Sequence, residues 1–182
     1  LEAAEIEEFA GAVRRHSMEV AAIVEDLLVA ARAGLGNVSV IPAVLDIRNE
    51  LDWVVGELLP LFGLSDESLE VSGSSVFAWA DATRVRQILR NLVVNSVRYG
   101  GSRIEARVAI DGDLASIELA DDGNGISDAD LGRLFMPYQR FHQNGTQPDS
   151  IGLGLAVSRT LARLMSGDLT YYRRDGWSVF RL

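Results

Sequence analysis

The sequence predicts an α+β sandwich preceded by one long α-helix, and three observations lead there. Strand-like and helix-like segments follow one another irregularly, without the repeating strand–helix–strand unit that a doubly wound parallel sheet requires. The first thirty residues carry a helical pattern of their own, unlike anything after them. Finally, 182 residues with 48% hydrophobic and 24% charged side chains can bury a core without a disulfide or metal staple.

In the first segment, apolar or small residues fall at Ile6, Phe9, Val13, His16, Val20, Ile23, Leu27 and Ala30. Steps of three and four alternate, which is the seam of a coiled coil or helical bundle. One helix cannot bury such a seam alone. The run stops at Gly34-Leu35-Gly36-Asn37, which places a boundary between residues 1–34 and residues 35–182. Beyond it, residues 38–47 predict a strand. Asp46 is placed to cap a helix over residues 47–59, with Pro60 and Gly63 ending it. Short strands are expected at residues 69–71 and 75–80. Asp81 precedes the strongest helix, residues 82–99, which Gly100-Gly101 stops. Strands over residues 103–110 and 114–120 are joined by the hairpin sequence Asp111-Gly112-Asp113. A short helix at residues 128–135, a polar loop over 141–150, a helix over 152–165 and two final strands complete the order.

Composition narrows the function classes. Seventeen Lys+Arg against 26 Asp+Glu give a net charge of −9, the wrong sign for nucleic-acid phosphates or anionic lipid. The sequence has no Cys, which removes disulfides, thiolate zinc sites and cysteine nucleophiles together. His16 and His142 are the only imidazoles, too few for a multi-histidine metal site. No apolar run approaches the ~18 residues of a membrane helix, and the acidic N-terminus is unlike a signal peptide. A soluble, cytoplasmic segment is expected.

Three local patterns carry chemistry. On the helix over residues 82–99, Arg84, Gln87, Asn91, Asn95 and Arg98 fall within an arc of roughly 80°, opposite Val85, Ile88, Leu89 and Leu92. A solvated face explains most such arcs, but two asparagines four apart are poor helix formers. Their amide oxygens suit Mg²⁺ and the arginines suit phosphate. Next comes Asp121-Asp122-Gly123-Asn124-Gly125-Ile126 at a strand end. Alone it reads as a turn, yet alternate glycines also allow close approach to a ligand beside a carboxylate acceptor. The third pattern, Ile151-Gly152-Leu153-Gly154-Leu155, opens a helix with glycines, which leaves free N–H groups facing any anion. It has neither the Walker spacing nor the full dinucleotide fingerprint.

The order of these pieces is more specific than any one of them. Asn91-Leu-Val-Val-Asn95-Ser-Val-Arg98-Tyr99, Asp121-x-Gly123-x-Gly125-Ile126, Leu134-Phe135-Met-Pro137-Tyr-Gln-Arg140-Phe141 and Gly152-Leu-Gly154-Leu155 resemble the N, G1, F and G2 boxes of sensor histidine kinases. Residues 38–182 resemble the catalytic ATP-binding domain of that family, within the gyrase/histidine-kinase ATPase superfamily. The preceding helix, with Ile23-Val-Glu-Asp-Leu-Leu28, is similar to the second dimerisation helix of the same kinases. That resemblance implies a two-layer sandwich with a mixed β-sheet, the Bergerat ATP-binding fold.

It also implies roles. Asn95 is expected to ligate Mg²⁺ and Asn91 to assist around the phosphates of ATP or ADP. Arg98 stands where the family usually has Lys and keeps the phosphate-facing charge. Tyr99 would line the nucleotide pocket, Asp121 would accept the adenine amine, and Gly123 and Gly125, followed by Ile126, would give the base room. Arg140 lies at the edge of a lid over residues 141–150, which contains His142 and Gly145. Gly152, Leu153, Gly154 and Leu155 would place backbone N–H groups near the phosphates. Phe135, Pro137 and Phe141 are expected to pack beneath the lid. The expected reaction moves the γ-phosphoryl group of Mg·ATP to a histidine and then to a response regulator, within a homodimeric parent.

Some positions depart from the pattern. Ser150 occupies the first glycine position of the last box, and Trp177 replaces a glycine common before Ser178. No phosphoacceptor box is present. His16 precedes Ser17-Met18-Glu19 and sits on the apolar seam, so it is expected to be a packed or interface residue. The phosphoacceptor is expected outside this segment. A protein-serine kinase of the anti-sigma-factor type shares the boxes but usually lacks the preceding helix. A degenerate signalling scaffold would not need the Asn95, Asp121 and Gly152-x-Gly154 set.

Overall fold

The computed structural model describes residues 3–65, 68–139 and 151–182, with side chains from residue 9 onward. Ile6 as a seam side chain, Arg140 and the polar loop over residues 141–150 lie outside the described residues. Helix α1 (Ala3–Ala33) leads into strand β1 (Ala43–Asp46), helix α2 (Ile47–Leu58), a 3₁₀ turn (Leu59–Phe62) and strands β2 (Leu69–Ser72) and β3 (Phe77–Ala80). Helix α3 (Ala82–Tyr99), strands β4 (Ile104–Asp111) and β5 (Leu114–Asp121), helices α4 (Asp128–Leu131) and α5 (Gly154–Leu164), and strands β6 (Thr170–Arg174) and β7 (Trp177–Arg181) follow.

Five strands form one sheet in the order β2-β4-β5-β7-β6, and β1 pairs with β3 apart from it. β2 runs parallel to β4 while every other ladder is antiparallel, so the sheet is mixed. Along β4, Ile104, Ala106 and Val108 are buried between exposed neighbours, so one face of the sheet meets the helices. Leu51, Val54 and Leu58 of α2, Ile88, Leu89 and Leu92 of α3, and Leu161 of α5 fill that layer. Truncating one of these fully buried leucines to Ala would remove about 2–5 kcal/mol of stability.

Local chemistry sets the helix ends. Asp46 caps α2 by accepting from the Arg48 and Asn49 N–H groups. Asp81 caps α3 through Thr83 and Arg84 N–H. The second oxygen of Asp81 accepts the Ile41 N–H at 2.8 Å, tying the chain before β1 to the start of α3.

Several boundaries differ from the sequence reading. The strand over residues 38–47 shrinks to β1, because Pro42 cannot donate to a ladder and β3 offers only four partners. Pro60 does not stop the chain turning; it sits in the first turn of the 3₁₀ segment, where its fixed φ fits, and Gly63 at φ 66° ends it. The helix expected at residues 128–135 covers only Asp128–Leu131. α5 begins at Gly154, since Gly152 has φ 73° and cannot be helical. Among the described residues, no helix is long and apolar enough to cross a membrane.

Candidate functional site

Two clusters form along the polar face of α3. At its C-terminal end, α3 meets the end of β5. Asp121 is only 6% exposed there. Its carboxylate accepts the Gly123 N–H at 3.1 Å and the Ser96 hydroxyl at 3.3 Å. Two of its roughly four lone-pair positions therefore remain for another donor. Burial pushes the Asp121 carboxyl above its ordinary value, against the lowering effect of the Gly123 and Ser96 bonds. The backbones around it touch: a Cβ on Gly123 would lie 2.9 Å from the Gly100 backbone, and one on Gly100 would lie 2.9 Å from the Asp121 Cβ. Glycine at both positions lets helix and strand end approach this closely.

Gly125 has a second, independent reason to be glycine. Its φ is 70°, and an added Cβ would meet Arg173 Nη1 at 1.9 Å and the Tyr171 hydroxyl at 2.7 Å. Next to it, the Ile126 N–H donates to the Tyr171 hydroxyl at 3.0 Å while the Ile126 side chain packs on the core. Arg173 Nη1 reaches the Gly123 carbonyl and the Ser178 hydroxyl, both at 3.3 Å, which pins this loop to β6 and β7.

The second cluster lies two turns back along α3. Asn91 Nδ2 is 3.3 Å from the Gly154 carbonyl and 3.2 Å from Ser158 Oγ at the start of α5. It is also 3.5 Å from Asp26 Oδ2 of α1. Those acceptors occupy the amide hydrogens and leave Asn91 Oδ1 uncommitted among the described residues. Asn95, half-buried between the clusters, has no side-chain hydrogen bond among the described residues. Tyr99 is half-buried at the end of the same helix.

Arg98 forms an ion pair with Glu19 of α1. Leu153 is buried in the core and Leu155 packs against it, so only their backbones remain to face a ligand. Gly152 accepts the Tyr138 N–H at 2.8 Å. Phe135 packs on the core beneath the Arg159 guanidinium, 4.5 Å from its ring centre, as expected. Pro137 is exposed, contrary to expectation, because the chain there turns outward beyond buried Leu134. Trp177 opens β7 and stacks under Arg103 at 5.6 Å.

On α1 the seam residues Phe9, Val13, Val20 and Leu27 are exposed, as a seam without a partner helix leaves them. The helix docks through Met18, Asp26, Val29 and Ala30, of which only Ala30 belongs to the seam. Asp26 and Val29 are buried on that face, and Arg15 reaches the Leu61 carbonyl at 3.1 Å. His16 is exposed rather than packed, its Nδ1 donating to the Ala12 carbonyl at 2.8 Å. Sequence reasoning missed Ser96, Asp26 and Glu19. Ser96 lay beside Asn95 within the first box and could have been found by its place on the helix. Nothing local marked the two carboxylates.

Residues 80–182 match the family model described as histidine kinase-, DNA gyrase B- and HSP90-like ATPase. Over 100 residues the chain is 42% identical to the aerobic respiration control sensor protein ArcB of Escherichia coli (strain K12), covering 53% of this chain and 13% of that protein. This chain therefore spans a small part of such a relative. The solved structure of Acinetobacter baumannii histidine kinase AdeS matches with a TM-score of 0.69 at 19% identity, over 100% of this chain and 83% of that one, a likeness of fold. Full-length ShkA, solved in complex with AMPPNP, matches with a TM-score of 0.68 at 26% identity, over 97% of this chain and 38% of that one.

Proposed function

The chain belongs to the histidine kinase-, DNA gyrase B- and HSP90-like ATPase family, and on that footing we propose that it binds Mg·ATP and supplies the γ-phosphoryl group for histidine phosphorylation in a two-component sensor kinase. The observation that carries this reading is the buried Asp121 carboxylate, which keeps unused acceptor capacity beside the closely approaching backbones of Gly100 and Gly123. An adenine amine is the donor that such an acceptor selects. Residues 35–182 act as the ATP-binding domain and residues 1–34 as part of a dimerisation helix.

Asp121 orients the base, while Gly123, Gly125 and Ile126 shape the loop beneath it and Tyr99 borders it. Arg98 and the backbone of Gly152, Leu153, Gly154 and Leu155 face the phosphates, with Asn91 placing its amide between them. Arg140 belongs to the same proposal through its motif position alone. Among the described residues no group of three or more His, Cys, Asp or Glu could hold a metal ion. The donor set nevertheless fits Mg²⁺, which takes few protein ligands together with substrate phosphates, and the uncommitted amide oxygens of Asn95 and Asn91 are hard donors. Mg²⁺ there would neutralise phosphate charge. The protein's contribution is positioning and electrostatic stabilisation, which is most of what phosphoryl transfer asks of it.

The phosphoacceptor histidine lies outside this segment, and the phosphoryl group passes onward to a response regulator. The exposed apolar seam of α1 supports a homodimeric parent, because such a seam needs a partner helix. Calorimetric titration with ATP and GTP, with and without Mg²⁺, tests the reading. Selective, Mg²⁺-strengthened binding of ATP is the expected result, and equal affinity for both nucleotides overturns the role of Asp121.

A further inference from the structure

α1 does not merely lie beside the proposed site; two of its carboxylates engage the side chains assigned to the phosphates. Glu19 pairs with Arg98. Asp26 accepts from Gln87 Nε2 at 3.0 Å and lies 3.5 Å from Asn91 Nδ2. The two carboxylates are seven residues apart, two helical turns, and so share one face of α1. Arg98 and Asn91 are also seven apart on α3, in the opposite direction. Both pairings thus keep a single antiparallel register, with acids on one helix set against an arginine and amides on the other.

Both pairings are sheltered. Asp26 is 7% exposed and Gln87 is buried with it, while Glu19 and Arg98 are half-buried. Charges at such sites are less screened than at an open surface. A triphosphate arriving at Arg98 and Asn91 meets the Glu19 carboxylate, the buried Asp26 carboxyl already engaged with Asn91, and an arginine whose charge is already balanced. We propose that the Glu19/Asp26 face of α1 is a built-in competitor of nucleotide phosphates, so that docking of α1 and binding of Mg·ATP oppose each other. The inference rests on the reading of Arg98 and Asn91 as phosphate-facing groups. Reciprocity follows from linkage: if α1 weakens the nucleotide, the nucleotide must loosen α1 by the same factor.

The test uses the full chain and its Glu19→Gln, Asp26→Asn and doubly substituted forms, titrated with Mg·ATP and with adenosine. Couplings of this type typically change affinity several-fold or more. The double variant is expected to bind Mg·ATP about tenfold tighter than wild type, with adenosine affinity unchanged, because adenosine carries no phosphate to compete. Hydrogen exchange needs no substitution: in the wild-type chain, backbone amides of residues 15–30 should lose protection on adding Mg·ATP and keep it with adenosine. The proposal is overturned if the folded double variant binds Mg·ATP no tighter than wild type. It is also overturned if the variant gains equally for adenosine, or if exchange in α1 ignores Mg·ATP. Should no form bind ATP at all, the reading of the site itself has failed instead.

Discussion

Replacing Asp121 with Asn separates what the carboxylate does for the ligand from what it does for the fold. The two side chains are nearly isosteric, so the substitution changes hydrogen-bonding character with little change in shape. Keeping Oδ1 towards the Gly123 N–H preserves that bond, and the Ser96 hydroxyl can rotate to accept from the new amide. The remaining acceptor positions on that side then become N–H donors. An adenine amine loses a charged acceptor and faces another donor; the reverse rotamer sets the amide against the Gly123 N–H. A hydrogen bond to a charged group contributes about 1.5–3 kcal/mol, which converts to roughly a ten- to hundredfold loss of ATP affinity.

Stability should move the other way. Burial raises the folded-state pKa of Asp121 above its ordinary value of 3.8, so the folded protein holds its proton to higher pH than the unfolded chain does. Ionised Asp121 therefore costs folding free energy above the folded-state pKa, and that cost fades as pH falls through it towards the unfolded value. Asp121→Asn should melt at or above the wild-type temperature at neutral pH, with any advantage shrinking in acid. Calorimetry for ATP and a thermal melt of each protein at several pH values read both quantities. Wild-type ATP affinity in a folded Asp121→Asn protein would falsify the assignment. A sharp fall in melting temperature would show that the carboxylate is structural.

Three further outcomes are expected. Asn95→Ala should weaken Mg·ATP binding much more than binding of metal-free ADP, since only the former draws on an oxygen ligand at this position; equal losses by titration would make Asn95 structural. Gly125→Ala should lower stability by about 1–3 kcal/mol, because φ is 70° and the new Cβ would collide with Arg173 and Tyr171; an unchanged denaturant midpoint would refute it. Asp168 accepts from Arg159, Arg163 and its neighbour Leu169 N–H. The Arg159 bond, ahead of burial, holds its carboxyl well below the usual carboxylate range. Asp168→Asn should lose stability at neutral pH, under about 1 kcal/mol because the pairs are partly solvated. Wild type keeps that contribution above the unfolded carboxylate pKa and loses it as pH falls below about 4, so the two melts should converge there.

The sequence by itself determined the features that rest on contacts a few residues apart. The bounds of α3, its cap at Asp81 and its stop at Gly100 follow from capping and helical period, both of which act within one turn. The four ordered boxes were legible for the same reason, as each is a short run whose spacing survives in sequence. Where a neighbour distant in the chain decided the outcome, the sequence was mute. β1 is short because Pro42 and the four residues of β3 limit its ladder, and the order β2-β4-β5-β7-β6 came only with the fold. The apolar seam showed that α1 was helical but not which face would dock. Glu19 and Asp26 find Arg98, Gln87 and Asn91 more than sixty residues away, across a helix pairing whose register exists only once α3, α5 and the 3₁₀ turn have built the surface that α1 meets. Ion pairs and buried amide bonds depend on that geometry, which no local periodicity encodes.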